Sequence, residues 1–313
     1  MRAAIIRRYG RPEVFEVVEA EVPAPSPTQL LVRMHASSVN PVDCAIRQGS
    51  LRFIFPQRLP TVLGIDYAGT VEAVGSEVEG FSVGDEVFGF TDVRTGGAYA
   101  EYAVVEASGA AIKPANVSWE EAGVTAGSGL TAYQALTEVL KVRAGEKVLI
   151  NGAGGGVGTF AVQIAKALGC HVTAVGSTSK RELLLELGAD VVIDYTQEDP
   201  FAARHAYDAI ADCVGNIGVL ASRRLLAPGG RHVSIASKPA IMLRAQLGKL
   251  LPGPAYQTMF VVPRSSDVLV EWLGKGEVRP IIDRTWPLDQ LAEAQAYVEH
   301  GRSAGKVAIA IGA

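Results

Sequence analysis

One stretch of the chain carries residue types and spacings suited to holding a phosphorylated ligand: Lys147-Val148-Leu149-Ile150-Asn151-Gly152-Ala153-Gly154-Gly155-Gly156-Val157-Gly158. The apolar run at 148–150 has strand character, glycines follow, and helical spacing starts at once in Val157, Phe160, Ala161, Ile164, Ala165 and Leu168. Strand, tight glycine turn and helix open a βαβ unit that binds a dinucleotide. Ala153 holds the first place of the fingerprint, and Gly155 and Gly158 hold the second and third. Gly155 lets the backbone approach a pyrophosphate, and Gly158 lets helix and strand pack closely. Gly156 and Val157 open the helix, whose unpaired N–H groups and dipole attract phosphate charge.

The next strand, at 171–175, ends in Val175-Gly176-Ser177-Thr178-Ser179-Lys180-Arg181. NAD-preferring folds place an acidic residue here to accept from the ribose 2′-hydroxyl. Ser177 stands there instead. A hydroxyl from Ser177 or Thr178 can donate to a 2′-phosphate, and Lys180 can neutralise it, so NADPH is the expected coenzyme. The same residues also read as a cap on the following helix with solvated charges, and both readings suit an anion site. Asp212-Cys213-Val214-Gly215 ends a later strand; ligands of open α/β sheets lie beyond such ends, which places Val214 and Gly215 along the coenzyme ribose.

These residues need elements to hold them. The first ~115 residues read as short strands with turn signals, a small β-rich barrel-like unit. Within it, Asn40-Pro41-Val42-Asp43 starts a short helix with Asn40 as its N-cap. From Trp119 the texture changes: helices at 120–127 and 130–140, then strand and helix in alternation to residue 236, the pattern of a parallel sheet covered on both faces. Helices at 268–273 and 288–299 and a strand at 307–311 complete the chain. The fold class is α/β.

Composition narrows the function classes. The 313 residues allow two domains with full cores. Lys plus Arg is 29 against Asp plus Glu at 33, with no basic run, which gives no nucleic-acid signal. No apolar stretch approaches about 18 residues, so no membrane span is expected. Cys44, Cys170 and Cys213 lie far apart and suggest neither a disulfide framework nor a CxxC metal site; a reducing cytoplasm is the expected setting.

Several further motifs, in order, carry a resemblance: Asn40-Pro41-Val42-Asp43, Leu63-Gly64-Ile65-Asp66-Tyr67-Ala68-Gly69, Gly84-Asp85-Glu86-Val87, Gly97-Ala98-Tyr99-Ala100-Glu101-Tyr102, Thr131-Ala132-Tyr133, the glycine turn, Leu187-Gly188-Ala189-Asp190 and Gly305-Lys306. Over essentially the whole chain the sequence resembles the medium-chain dehydrogenase/reductase superfamily, in its zinc-independent quinone oxidoreductase branch. The resemblance implies a GroES-like catalytic domain (1–118 and 262–313), a doubly wound Rossmann domain (119–261), and a coenzyme cleft between them. It also implies a homodimer, for which the strand edge at 231–236 is a candidate.

Zinc-bearing relatives have Cys where Asn40 stands, His where Ile65 stands, and another Cys near Gly127. A catalytic zinc needs about three such ligands. The five histidines, His35, His171, His205, His232 and His300, form no cluster in sequence, and no metal is expected. Hydride addition to a quinone or enone puts negative charge on a carbonyl oxygen, which a hydrogen-bond donor stabilises. Asn40, in the lost cysteine place, is the candidate donor; its rival role is only to cap the helix at Pro41. Asp43 is assigned to the same catalytic loop, ordering it rather than moving protons. Ala45 replaces a tyrosine common in relatives, so the final proton is assigned to water. Tyr67 is read as a buried aromatic.

The family pattern also places Thr131 near the nicotinamide, Tyr195 near the adenosine phosphate, and Phe260 and Val262 at the carboxamide. The alternatives are helix packing for Thr131, a half-buried aromatic for Tyr195 and a buried strand for 260–262. The implied function is an NADPH:quinone oxidoreductase acting on a small conjugated carbonyl. Its rivals are an enoyl or alkenal C=C reductase and a non-catalytic NADPH-binding structural or sensing protein.

Overall fold

Strand residues alternate between faces, so a strand covered on one side only should alternate in burial. In the computed structural model, which describes residues 1–235, 255–259, 261–262 and 264–312, the long strand Gln29–Val39 shows that change within itself. Leu30, Val32, Met34 and Ala36 are buried and alternate with less buried neighbours; residues 37–39 are then buried on both faces. The chain divides into two compact units, Met1–Gly127 with Val262–Ala313, and Ser128–Val261.

In the first unit, β1 (Arg2–Ile6) pairs with β2 (Phe15–Glu19) and β4 (Thr61–Val62). A larger sheet is built on β3 (Gln29–Val39), with β5 (Asp66–Val74), β6 (Glu86–Phe90), β7 (Tyr102–Glu106) and β8 (Ala110–Ile112). Late in the chain, β15 (Ile282–Pro287) and β16 (Lys306–Ala310) join the same sheet. The end of β3 runs between two neighbours: Ser37 opposite Tyr67 of β5, and Ser38 and Val39 opposite Ala308 and Val307 of β16. That register brings Asp66 and Lys306, the first residues of their strands, beside the point where β3 ends and helix α1 (Pro41–Arg47) begins.

Helix α2 (Trp119–Gly123) begins in a capping box: Glu121 N–H donates to Ser118 Oγ and Ser118 N–H to the Glu121 carboxylate. It packs on β3 and β5. The division of the chain therefore falls after Gly127 rather than at residue 119, where the texture of the sequence changes. Helix α3 (Ala126–Gln134) runs across it.

In the second unit the strands are β9 (Lys147–Asn151), β10 (His171–Gly176), β11 (Val191–Asp194), β12 (Tyr207–Asp212), β13 (Leu226–Ser234) and β14 (Ala255–Thr258). Among the described residues they form a parallel sheet in the order β11-β10-β9-β12-β13-β14. The chain builds outward from β9 in one direction and from β12 in the other, so the switch point lies between these two strands, where such sheets bind ligands. Full burial of residues 148–150 and 209–211 explains their unbroken apolar runs.

Strand β7 starts only at Tyr102, because Ala98 N–H and Tyr99 N–H bond back to Gly64 O and Leu63 O. Strand β15 has no clear alternation and is absent from the sequence reading; its pairing with β16 makes it a strand. Strand β13 is not an edge, since β12 and β14 pair on its two sides. Ala236, the end of the segment proposed as a dimer edge, lies outside the described residues, as does Phe260.

His232 of β13 is fully buried, bonded through Nδ1 to Ser222 Oγ at 3.0 Å and stacked on Tyr256 at 4.2 Å. Burial lowers its pKa from 6.5 to about 3. As pH falls, the unfolded chain therefore takes up this proton first, and stability present above pH 6.5 drains away down to about pH 3, by at most roughly 5 kcal/mol. Asp43, with a pKa raised from 3.8 to about 7, acts in the opposite sense: its charged form burdens the fold above pH 7 and the burden lifts on acidification. The difference between wild type and His232→Phe isolates the histidine. The variant is expected to lose less stability than wild type between pH 7 and pH 4 in denaturant titrations; parallel curves would place the acid sensitivity elsewhere.

Candidate active site

Helix α1 starts where Pro41 follows Asn40, and the capping arrangement is half of the expected one. Asn40 N–H donates to Asp43 Oδ2 at 2.8 Å, so Asp43 ties down the entry to the helix. The Asn40 side chain does not cap the helix; it turns toward the strand ends. Its Nδ2 donates to Asp66 Oδ2 at 3.0 Å and lies 3.3 Å from Ser38 Oγ, and its Oδ1 accepts from Lys306 Nζ at 2.6 Å. The amide orientation follows from chemistry: an ammonium only donates and an ionised carboxylate only accepts.

Asp66 is fully buried and fully engaged. Its Oδ1 accepts from Gly127 N–H at 2.6 Å; its Oδ2 accepts from Ser38 Oγ at 2.5 Å, from Asn40, and from Lys306 Nζ at 3.3 Å. Ser38 Oγ and Asp66 Oδ2 are therefore close neighbours as seen from Asn40. The triangle with sides 3.0, 3.3 and 2.5 Å encloses about 46° at Nδ2, by the law of cosines. The two N–H bonds of a planar amide diverge by about 120°, so one N–H can serve both acceptors; the Asn40 side chain also acts on the Asp43 carboxylate, whose pKa it helps to hold down.

Asp43 is buried, and its Oδ1 accepts no hydrogen bond among the described residues. Burial pushes its pKa up to about 7; the Asn40 N–H bond pulls down, and the nearby Asp66 charge adds to the rise. The expectation that it orders the loop matches its bond to Asn40. Tyr67 is buried among core residues, which supports the buried-aromatic reading.

No group of three His, Cys, Asp or Glu side chains able to hold a metal ion occurs among the described residues. The donor set at Asn40 does not suit one: the nearby carboxylate is saturated, and the Lys306 ammonium repels a cation. Near Gly127, where zinc relatives place a cysteine, a backbone N–H meets Asp66. Lys306 and the anchoring role of Asp66 are absent from the sequence reading. Local pattern holds no signal for a contact spanning 266 residues; Gly305-Lys306 was visible only as a motif.

In the second unit, β9 leads into the glycine turn. Ala153 N–H bonds to Val175 O at 3.0 Å, and helix α4 (Gly156–Ala167) starts after Gly155 with no side-chain cap. The opening N–H groups of residues 156–158 thus have no intrahelical partner. A Cβ on Gly158 would stand 2.3 Å from Gly152 O and 2.6 Å from Ala153 Cα, so only glycine fits this turn. A Cβ on Gly155 would meet Gly152 O at 3.5 Å and nothing else within 4 Å, so the fold itself has room there. These features fit a dinucleotide diphosphate: an open backbone approach at one glycine and donors at a helix start.

Around the turn, Asp212 accepts from Val214 N–H (3.1 Å), Gly215 N–H (2.8 Å), Ile217 N–H (3.1 Å) and Asn151 Nδ2 (2.7 Å). These bonds hold residues 214–215 at the end of β12, beside the glycine turn. Lys180 Nζ donates to Gly154 O at 3.2 Å and places its charge at that turn; Arg181 Nη1 donates to Val192 O. Ser177 lies within 3.2 Å of Ser179 and makes no side-chain cap bond. The Thr178 hydroxyl donates to Asp194 Oδ2 at 2.5 Å and lies 3.0 Å from Thr196 Oγ1. Thr196 also donates to Asp194, and the two threonine bonds lower the Asp194 pKa.

Thr131 is buried in α3. Tyr195 is 58% exposed at the end of β11, which removes the half-buried alternative. Val262 is 63% exposed and belongs to no strand, which removes the buried-strand alternative for that residue.

Comparison with known proteins agrees with both halves. Residues 26–115 match the family described as the alcohol dehydrogenase GroES-like domain, and residues 187–309 match the zinc-binding dehydrogenase family. The chain is 31% identical over 306 residues to the chloroplast envelope quinone oxidoreductase homolog of Arabidopsis thaliana, covering 94% of this chain and 93% of that one. It is 35% identical to the 2-methylene-furan-3-one reductase of Solanum lycopersicum over 99% of this chain and 79% of the relative. The crystal structure of Escherichia coli quinone oxidoreductase complexed with NADPH superposes with a TM-score of 0.85 at 26% identity, covering 99% of this chain and 100% of that one.

Proposed function

The chain belongs to the quinone oxidoreductase family of the medium-chain dehydrogenases/reductases, and from that premise we propose that it is a metal-free, NADPH-dependent reductase of quinones or related conjugated carbonyls. A GroES-like unit, a Rossmann sheet and an oxidoreductase activity follow from the family. The choices of NADPH, of acceptor and of a metal-free site are the further steps. The observation that supports the acceptor and the metal-free site is the Asn40 amide, clamped between Asp66 and Lys306 where relatives place a metal ligand; the Lys180 ammonium at the glycine turn supports NADPH.

The bound dihydronicotinamide supplies the hydride, and with it both electrons. Gly155 admits the diphosphate, the opening N–H groups of α4 and the Lys180 ammonium balance its charge, and Val214 and Gly215 line the ribose. Thr131, Tyr195, Phe260 and Val262 complete the coenzyme contacts in this reading, with Phe260 outside the described residues. At the acceptor, the Asn40 N–H donates to the carbonyl oxygen as negative charge develops there. Asp43 keeps that loop in place through Asn40 N–H, and water returns the proton to the reduced product. A soluble homodimer in the cytoplasm completes the proposal; no helix among the described residues is long and apolar enough to cross a membrane.

A steady-state panel of 1,4-benzoquinone, 9,10-phenanthrenequinone, crotonaldehyde and a 2-enoyl thioester, each with NADPH and NADH, tests it. Turnover of the quinones with NADPH is expected. Inert quinones with an active enal would establish the C=C reductase reading, which the name of the tomato relative favours. Tight NADPH binding without turnover of any acceptor would point to a binding protein. In the same assays Lys180→Ala is expected to raise KM for NADPH about tenfold, the loss of one charge-assisted contact, and to change KM for NADH less. Equal effects on the two coenzymes would remove the 2′-phosphate argument.

A further inference from the structure

We infer that Lys306 is the positioning residue of this site: its ammonium locks the orientation of the Asn40 amide and, through that amide, delivers positive polarisation to the acceptor oxygen. The inference rests on the proposed reading of Asn40 as the donor. Lys306 Nζ lies 2.6 Å from Asn40 Oδ1, and the side chain is buried. An asparagine amide has two orientations related by a flip, and only one presents its N–H groups to Asp66. A cation that can only donate makes the other orientation repulsive, because it would set the NH2 group against an ammonium.

The same contact acts on bond strength. A charge held against the amide oxygen draws electron density toward it and makes the amide N–H a stronger donor, as in hydrogen-bond chains that polarise one another. Burial keeps water from screening this effect. Asp66 acts on the same amide through Nδ2, with its charge also engaged by Gly127 N–H, Ser38 Oγ and Lys306. Lys306 sits closer to the amide oxygen, at 2.6 Å, than to the carboxylate, at 3.3 Å. The pairing of β16 with β3, with Val307 opposite Val39, fixes the approach. The polarisation of the amide is thereby directed toward the place where metal-bearing relatives would polarise a carbonyl.

The competing role is a buried ion pair that fastens β16 to its neighbours. Lys306→Met keeps the stem and removes the charge, but it leaves Asp66 buried without its cation and destabilises the fold on that account alone. The double variant Asp66→Asn with Lys306→Met removes both charges. The expected result is a double variant with thermal stability restored toward wild type, an unchanged Kd for NADPH by fluorescence titration, an acceptor KM within about threefold, and a kcat at least tenfold lower. A double variant that folds and keeps wild-type kcat would overturn the inference and leave Lys306 as a fastening. If the wild-type enzyme itself turned over none of the acceptors, the reading of Asn40 would fail first, a result distinguishable because it needs no variant.

Discussion

Gly155→Ala is expected to leave the fold standing and to weaken NADPH binding at least tenfold, whereas Gly158→Ala is expected to damage both. The contrast comes from what each new methyl group meets. At residue 155 the backbone is extended, with φ −94° and ψ −178°, a conformation open to any residue, and the added Cβ has one neighbour within 4 Å, at van der Waals distance. What it obstructs is the approach of the coenzyme diphosphate to the turn. At residue 158 the Cβ runs into Gly152 O and the Ala153 backbone at 2.3 to 2.7 Å, so the strand–helix turn itself must move. Overpacking of this kind costs about 1–3 kcal/mol, and here the displaced atoms also form the anion cradle. Thermal melts with NADPH fluorescence titrations separate the two. A Gly155→Ala protein that binds NADPH as wild type does would show that the diphosphate lies elsewhere.

Asn40→Ala is expected to lower kcat by about 10²–10³, the size of effect seen when one donor to a developing oxyanion is removed. KM for NADPH should stay within a few-fold, since the coenzyme cradle is built from other residues. Some loss of melting temperature should accompany it, because Lys306 and Asp66 each lose a buried partner. Asn40→Asp is the sharper control: it keeps the shape and the acceptor toward Lys306 but cannot donate when ionised, and should be as slow as the alanine variant. Single-turnover kinetics with a saturating quinone measure this. A kcat within threefold of wild type in both variants would mean that the acceptor oxygen finds its donor elsewhere.

Much of the second unit was legible because its determinants are local. The glycine turn, the buried runs of β9 and β12 and the spacing of α4 are each contained within about a dozen residues, and glycine at 158 is forced by atoms a few positions away. Lys180 and Arg181, adjacent in sequence, part company in the structure: their side chains go to Gly154 O and Val192 O respectively. The bond from Thr178 to Asp194 was not legible, because Asp194 comes from the next strand of the sheet and nothing near Thr178 announces a carboxylate. The edge assigned at 231–236 failed for a similar reason: whether a strand is an edge depends on whether another pairs with it, and β14 arrives from a different part of the chain.

The first unit divides along the same line. The motif Asn40-Pro41-Val42-Asp43 determined by itself that a helix starts there, because proline geometry and the Asp43 carboxylate act over three residues. It left open whether the Asn40 side chain caps that helix or serves the chemistry. Only the tertiary structure decided this, by bringing Asp66 from β5 and Lys306 from β16 against the end of β3. An amide goes where its strongest partners are. A buried ammonium and a buried carboxylate bind it more strongly than a helix N–H does, and neither exists at that point until the sheet has formed.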